Sequence, residues 1–113
     1  MTELQKDKFL NAYYERALLS YCFESIDNYY VIMARLSAVD FLLPEHNLIC
    51  MIMTDLVEKK KIPKIEYSIV VGEADRLGVL KQIGGYQYVN AIMSMEVSLE
   101  NIQFYIQKTL DNS

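Results

Sequence analysis

His46 is the only histidine in the chain, and Cys22 and Cys50 are its only cysteines. A metal centre, a cysteine nucleophile or a redox pair would have to be built from these three residues. One histidine cannot make a multi-histidine site, and the cysteines lie far apart in apolar runs with no Cys-x-x-Cys pairing. They read as reduced packing thiols of a cytosolic protein, and no metal is expected. Asp40, Glu45 and Asp55 fall in or near one predicted helix, where acids at the start complement the helix dipole more readily than they catalyse. Gly72, Gly78 and Gly84 are separated by five residues each, and no Gly-Lys-Ser/Thr follows. Neither a phosphate-binding loop nor ATP binding is therefore expected of this chain.

Lys59, Lys60, Lys61 and Lys64 are the one basic cluster. A helix C-terminus explains the first three without a phosphate. Fifteen acids against eleven bases give a net charge of −4, which repels a nucleic-acid backbone overall. At most, weak single-stranded DNA contact is expected, and physiological salt should remove it. No run approaches the roughly 18 apolar residues that a membrane helix needs, so no membrane contact is expected.

The elements that position these residues are helical. The chain of 113 residues is 52% apolar with four glycines and two prolines, which favours an all-α bundle and a single domain over 1–113. A first helix runs from Phe9 to Phe23, with Leu10, Tyr14, Ala17, Leu18, Tyr21 and Cys22 inward and Glu15 and Arg16 opposite. Asp27 is the predicted cap of a second, ending near Asp40, whose inner face is Tyr30, Met33, Ala34 and Leu36. Pro44 opens a third with Leu48, Ile49, Ile52, Leu56 and Val57 inward, and Ile62-Pro63 stops it. A fourth spans roughly Ile65 to Leu77, with Gly78 at its end. Gly84-Gly85 open a fifth carrying Tyr86, Tyr88, Val89, Ile92 and Met93, and Ser98 caps a sixth with Ile102, Tyr105, Ile106 and Leu110 inward. The expected core is Leu18, Phe41, Ile49, Ile52, Ile83, Tyr88, Val89, Ile102 and Tyr105. His46, at the start of the third helix, is expected to hydrogen-bond a loop carbonyl.

Three ordered segments give this pattern a family. Asp40-Phe41-Leu42-Leu43-Pro44-Glu45-His46-Asn47-Leu48-Ile49, Gly78-Val79-Leu80 with Ile83-Gly84-Gly85-Tyr86-Gln87-Tyr88, and Asn101-Ile102 with Tyr105-Ile106 resemble the N-terminal domain of DnaB-type hexameric replicative helicases. Glu15 with Leu18 and Leu19 sits where that family has Glu before a Leu-rich first helix. Leu42 and Leu43 stand where an aromatic is usual and Cys50 where Phe is usual, while the first sixteen or so residues match nothing. The unmatched head is in keeping with a phage or bacterial source.

The resemblance implies assembly and no catalysis by this chain. In the family this domain forms a collar on the ring and docks primase and helicase loader, and a separate motor domain uses ATP and magnesium. The expectation is an excised domain beginning at a native Met1 and ending at Ser113, about where the family's helical hairpin begins. The alternative is a free-standing adaptor or inhibitor of the same fold that binds a host helicase, loader or primase. Tyr13, Tyr29 and Phe104, outward aromatics of the first two helices and the last, are the candidate interaction surface.

Overall fold

The computed structural model describes residues 2–112, with the side chains of Lys6 and Asp7 also left aside; Met1 and Ser113 lie outside the described residues. Six α-helices follow one another: α1 (Glu3–Glu24), α2 (Ile26–Met33), α3 (Pro44–Glu58), α4 (Tyr67–Arg76), α5 (Gly85–Met93) and α6 (Ile102–Asn112). Two 3₁₀ turns, Ala38–Asp40 and Leu99–Asn101, complete the order, and no strand occurs among the described residues. The β-branched run after Pro63 is thus helix from Tyr67, with Ile65 buried in the lead-in. None of these helices is long and apolar enough to cross a membrane.

α1 is the central element and packs on α6, α2, α5 and α3. Its second half, Ala17 to Phe23, is buried on every side, so it has no polar face there. It begins six residues earlier than the apolar rhythm indicates, because Thr2 and Gln5 form a reciprocal capping box at 2.8 and 3.1 Å.

Ser25, not Asp27, caps α2. Its amide closes α1 on the Tyr21 carbonyl at 3.2 Å, and its hydroxyl accepts from the Asp27 amide at 3.1 Å. One extended residue thus ends one helix and starts the next. The register that follows turns Asn28, Tyr29 and Ile32 inward, with Asn28 Nδ2 donating to the Tyr21 carbonyl at 3.1 Å. Tyr30 and Ala34, expected inside, face solvent, while Leu36 is buried in the turn beyond α2. The helix stops at Met33, well short of Asp40.

Pro44 does take the first position of α3, and Lys59 caps the far end. Lys61 then adopts a left-handed φ of 59°, and the Ile62 amide returns to the Leu56 carbonyl at 3.2 Å. Gly78, at φ 75°, ends α4, with the Val79 amide reaching back to the Ala74 carbonyl at 2.9 Å. In α5 only Val89 and Ile92 are fully inward; Tyr86 and Met93 are exposed. Ser98 caps the 3₁₀ turn ahead of α6, and Thr109 joins Ile106 as its buried pair. Of the expected core, Leu18, Phe41, Ile49, Ile52, Ile83 and Val89 are buried, and Tyr88, Ile102 and Tyr105 pack against them half-buried.

Candidate functional site

Glu15 is buried in the middle of α1, not on its outer face. A carboxylate there needs several donors. It has three: the Leu42 amide at 2.8 Å, the Leu43 amide at 3.3 Å and His46 Nδ1 at 2.8 Å. The two amides belong to the loop entering α3, where Pro44 fixes the helix start and Leu43, as N-cap, has no side-chain oxygen to satisfy neighbouring donors. Glu15 supplies from another helix the acceptor that the local sequence lacks.

His46 is fully buried, and its Nε2 lies 2.5 Å from the Tyr88 hydroxyl on α5. The rings stack with centroids 5.8 Å apart and planes at 5°. An ionised carboxylate only accepts, so Nδ1 carries the hydrogen; in the neutral ring Nε2 then accepts from the Tyr88 hydroxyl. Burial raises the Tyr88 phenol above its ordinary value, opposed in part by the Arg16 guanidinium, so the phenol remains a donor at neutral pH. The partner of His46 is therefore a carboxylate and a phenol, not the loop carbonyl expected from sequence. The order carboxylate, imidazole, hydroxyl is that of an acyl-transfer relay. Here, however, the hydroxyl is aimed into the ring, and neither the groove between α2, α3 and α4 nor the hollow beside Ser20 and Met95 is lined by any of the three. The network ties α1, α3 and α5 together.

Two of the three sequence segments converge on this point, and the third, on α6, does not. Asp40 Oδ2 accepts from the Ser37 amide at 2.8 Å to hold the 3₁₀ turn before Phe41, and Asn47 Nδ2 donates to the Ala38 carbonyl at 2.7 Å. Phe41, Ile49 and Ile83 are core beneath it. Gly84 takes φ 99° so that the chain enters α5 with Tyr88 above it. Gly78, at the end of α4, and Asn101, the last residue of the 3₁₀ turn that leads into α6, are exposed and lie outside the network.

A second constellation lies where α6 crosses α1. Tyr13 and Tyr14 pack on Tyr105 at centroid separations of 6.1 and 5.9 Å, and Phe104 meets Tyr14 at 6.2 Å. Phe104 is 53% exposed, with Lys108 Nζ 5.6 Å from its ring centre. Phe9 and Leu10, one turn earlier on α1 than Tyr13 and Tyr14, are also exposed. Tyr29 does not belong to this face. It is 1% exposed, its hydroxyl 3.2 Å from Glu58 Oε1 between α2 and α3, because the Ser25 cap rotates α2 by one position from the expected register.

The lysines are largely occupied. Lys60 pairs with Glu73 at 2.9 Å, Lys59 with Asp55 at 3.5 Å, and Lys64 donates to the Phe23 carbonyl at 3.2 Å, near the end of α1. Arg76 and Lys60 together hold the Glu73 carboxyl below its usual range. Among the described residues no three His, Cys, Asp or Glu side chains are grouped as a metal site.

In the crystal structure of the N-terminal domain of DnaB helicase from Mycobacterium tuberculosis, 69% of the chain superposes on 87% of this one, with a TM-score of 0.77 and 26% identity. No curated protein sequence matches the chain. The family described as DnaB-like helicase N terminal domain matches residues 8–111, the span that holds the Glu15–His46–Tyr88 network, every helix from α2 to α5 and all but the last residue of α6. The chain therefore belongs to the family of DnaB-like helicase N-terminal domains.

Proposed function

We propose that this domain, acting as one unit, is the non-catalytic collar of a hexameric replicative DNA helicase in the cytoplasm, where it takes part in ring assembly and docks primase or helicase loader. ATP and magnesium belong, on this reading, to a separate motor domain. The observation that carries the interaction role is the aromatic face of α1 and α6. Phe104 stands half in solvent beside Tyr14 and Tyr105, with Tyr13 packed on Tyr105, and large exposed aromatics on rigid helices are the anchors that interfaces use.

The face is small, nearer a transient contact than an obligate interface, so the isolated domain should sediment as a monomer or weak dimer. Phe104→Glu should leave the helical circular dichroism and unfolding midpoint unchanged while weakening self-association or binding to a helicase-binding domain of primase. Unfolding on that substitution would make Phe104 core. A tight hexamer of the isolated chain at micromolar concentration, or unaltered partner binding by the variant, would remove the face from the proposed role.

A further inference from the structure

α2, the turn that follows it, α3 and the end of α4 enclose an open groove of about 900 Å³. Its floor is a stripe of α3 in which exposed Met51 and half-buried Leu48 and Asp55 flank the buried Ile52, with Met33 on one wall and Leu77 on the other. These positions recur at three and four residues, so the stripe runs along the helix axis for roughly two turns, about 11 Å at ~1.5 Å per residue. Met51 and Leu77 are 52% and 51% exposed although they flank a closed core. The groove lies apart from the aromatic face of α1 and α6 and does not depend on the role proposed for it.

We propose that this groove receives a short amphipathic helix of another protein, bearing apolar residues at i, i+3, i+4 and i+7 and a basic residue at one end. Two observations select that occupant. An extended peptide would need a strand edge to satisfy its backbone, and none exists among the described residues; a helix satisfies its own. Two methionines, Met33 and Met51, line the groove, and their unbranched side chains adapt to a partner's shape. The charges fix the second feature. At the end where α3 and α4 meet, Arg76 and Lys60 are spent on Glu73 and Lys59 on Asp55, whereas Glu58, among the described residues, has only the Tyr29 phenol, at 3.2 Å. Asp55, Glu58 and Glu73 outnumber Lys59 and Arg76 along the lining, so an incoming cation is favoured and an anion opposed.

The test uses a fluorescein-labelled helical peptide with Leu at positions 1, 4, 5 and 8 and Arg at position 12, titrated with the full chain. Two control peptides have the same composition scrambled or Glu in place of the Arg. Saturable binding is expected for the Arg peptide, with the Glu version at least about tenfold weaker in low salt. Met51→Glu and Leu77→Glu should each abolish it without moving the unfolding midpoint, since both residues are half in solvent. Glu58→Gln, which keeps an acceptor for Tyr29, should weaken the Arg peptide severalfold and leave the Glu peptide unchanged. Absence of saturation, equal binding by the scrambled peptide, or binding indifferent to Met51→Glu overturns the proposal. So does loss of self-association by Met51→Glu in the absence of peptide, which would give the groove to a second copy of the chain.

Discussion

The ring of Tyr88 occupies the space that a side chain on Gly84 would need: a Cβ there would lie 2.5 Å from Tyr88 Cδ2 and 2.9 Å from its Cβ. Gly84 also sits at φ 99°, where an L-residue is strained. The glycine is thus required twice, once for its backbone and once so that Tyr88 can lie over it and reach His46.

Gly84→Ala should therefore be costly: backbone strain alone is worth about 1–3 kcal/mol, and the clash falls on the root of the Tyr88 ring. The tyrosine cannot swing aside without leaving His46. Gly72 is the control. It lies inside α4 with nothing within 4 Å of an added Cβ, so Gly72→Ala should stabilise by about 0.5–1 kcal/mol. Urea unfolding of both variants decides the matter, and a shift of the same sign in both would contradict the geometry.

Tyr88→Phe strips His46 Nε2 of its donor in a fully buried position, and an unsatisfied buried acceptor costs about 1–3 kcal/mol. Glu15→Gln should cost more, because one amide oxygen would replace a carboxylate that serves three donors, and its NH₂ would face either the Leu42 amide or the Leu43 amide together with His46 Nδ1. If the three residues act as one unit, the double variant departs from the sum of the singles by roughly 0.5–3 kcal/mol. Additivity within experimental error would reduce the network to independent bonds.

How far the sequence reveals this site depends on whether each signal is local. Pro44, Gly78 and Gly84-Gly85 act through their own backbones, and each marks the boundary it is expected to mark. α2 is only eight residues long, so a shift of its cap from Asp27 to Ser25 exchanges the roles of Tyr29 and Tyr30, and apolar spacing over two turns cannot distinguish the alternatives. Glu15 is misassigned for a different reason: a charge on an otherwise apolar helix is read as its outer face. The useful signal is that the residues from Ala17 onward leave α1 no outer face, while the loop ahead of Pro44 offers two amides and no side-chain acceptor. The pairing of those two facts is tertiary, across 27 residues of chain.

Alkaline unfolding follows from the buried phenols. Burial pushes Tyr21 and Tyr29 up to about 12 from an ordinary value near 10. The folded state keeps these protons after the unfolded chain has lost them. Stability should therefore hold through pH 9, fall as pH rises through 10, and level off near 12. Phenolate absorbance at 295 nm should show at least two tyrosines, Tyr21 and Tyr29, titrating only as circular dichroism is lost. Ionisation of all nine tyrosines before unfolding would place both rings in solvent.

The thiols report on the same core from the neutral side. Cys22 and Cys50 are buried, and burial holds both well above the usual thiol range, Cys50 at about 12. The thiolate is the reactive form, so a disulfide-exchange reagent at pH 8 should label neither cysteine in the folded chain and both on unfolding. Ile52, 4% exposed on the inner face of α3, supplies the control. Ile52→Ala should cost about 2–5 kcal/mol, and labelling of both thiols should accelerate by the same factor that urea unfolding gives for that loss. Cys50 packs its sulfur 3.9 Å from that of Met33, at the wall between α2 and α3. Rapid labelling of Cys50 alone would therefore mean that α2 opens from α3 without unfolding the domain, and the two thiols would then belong to separate cooperative units.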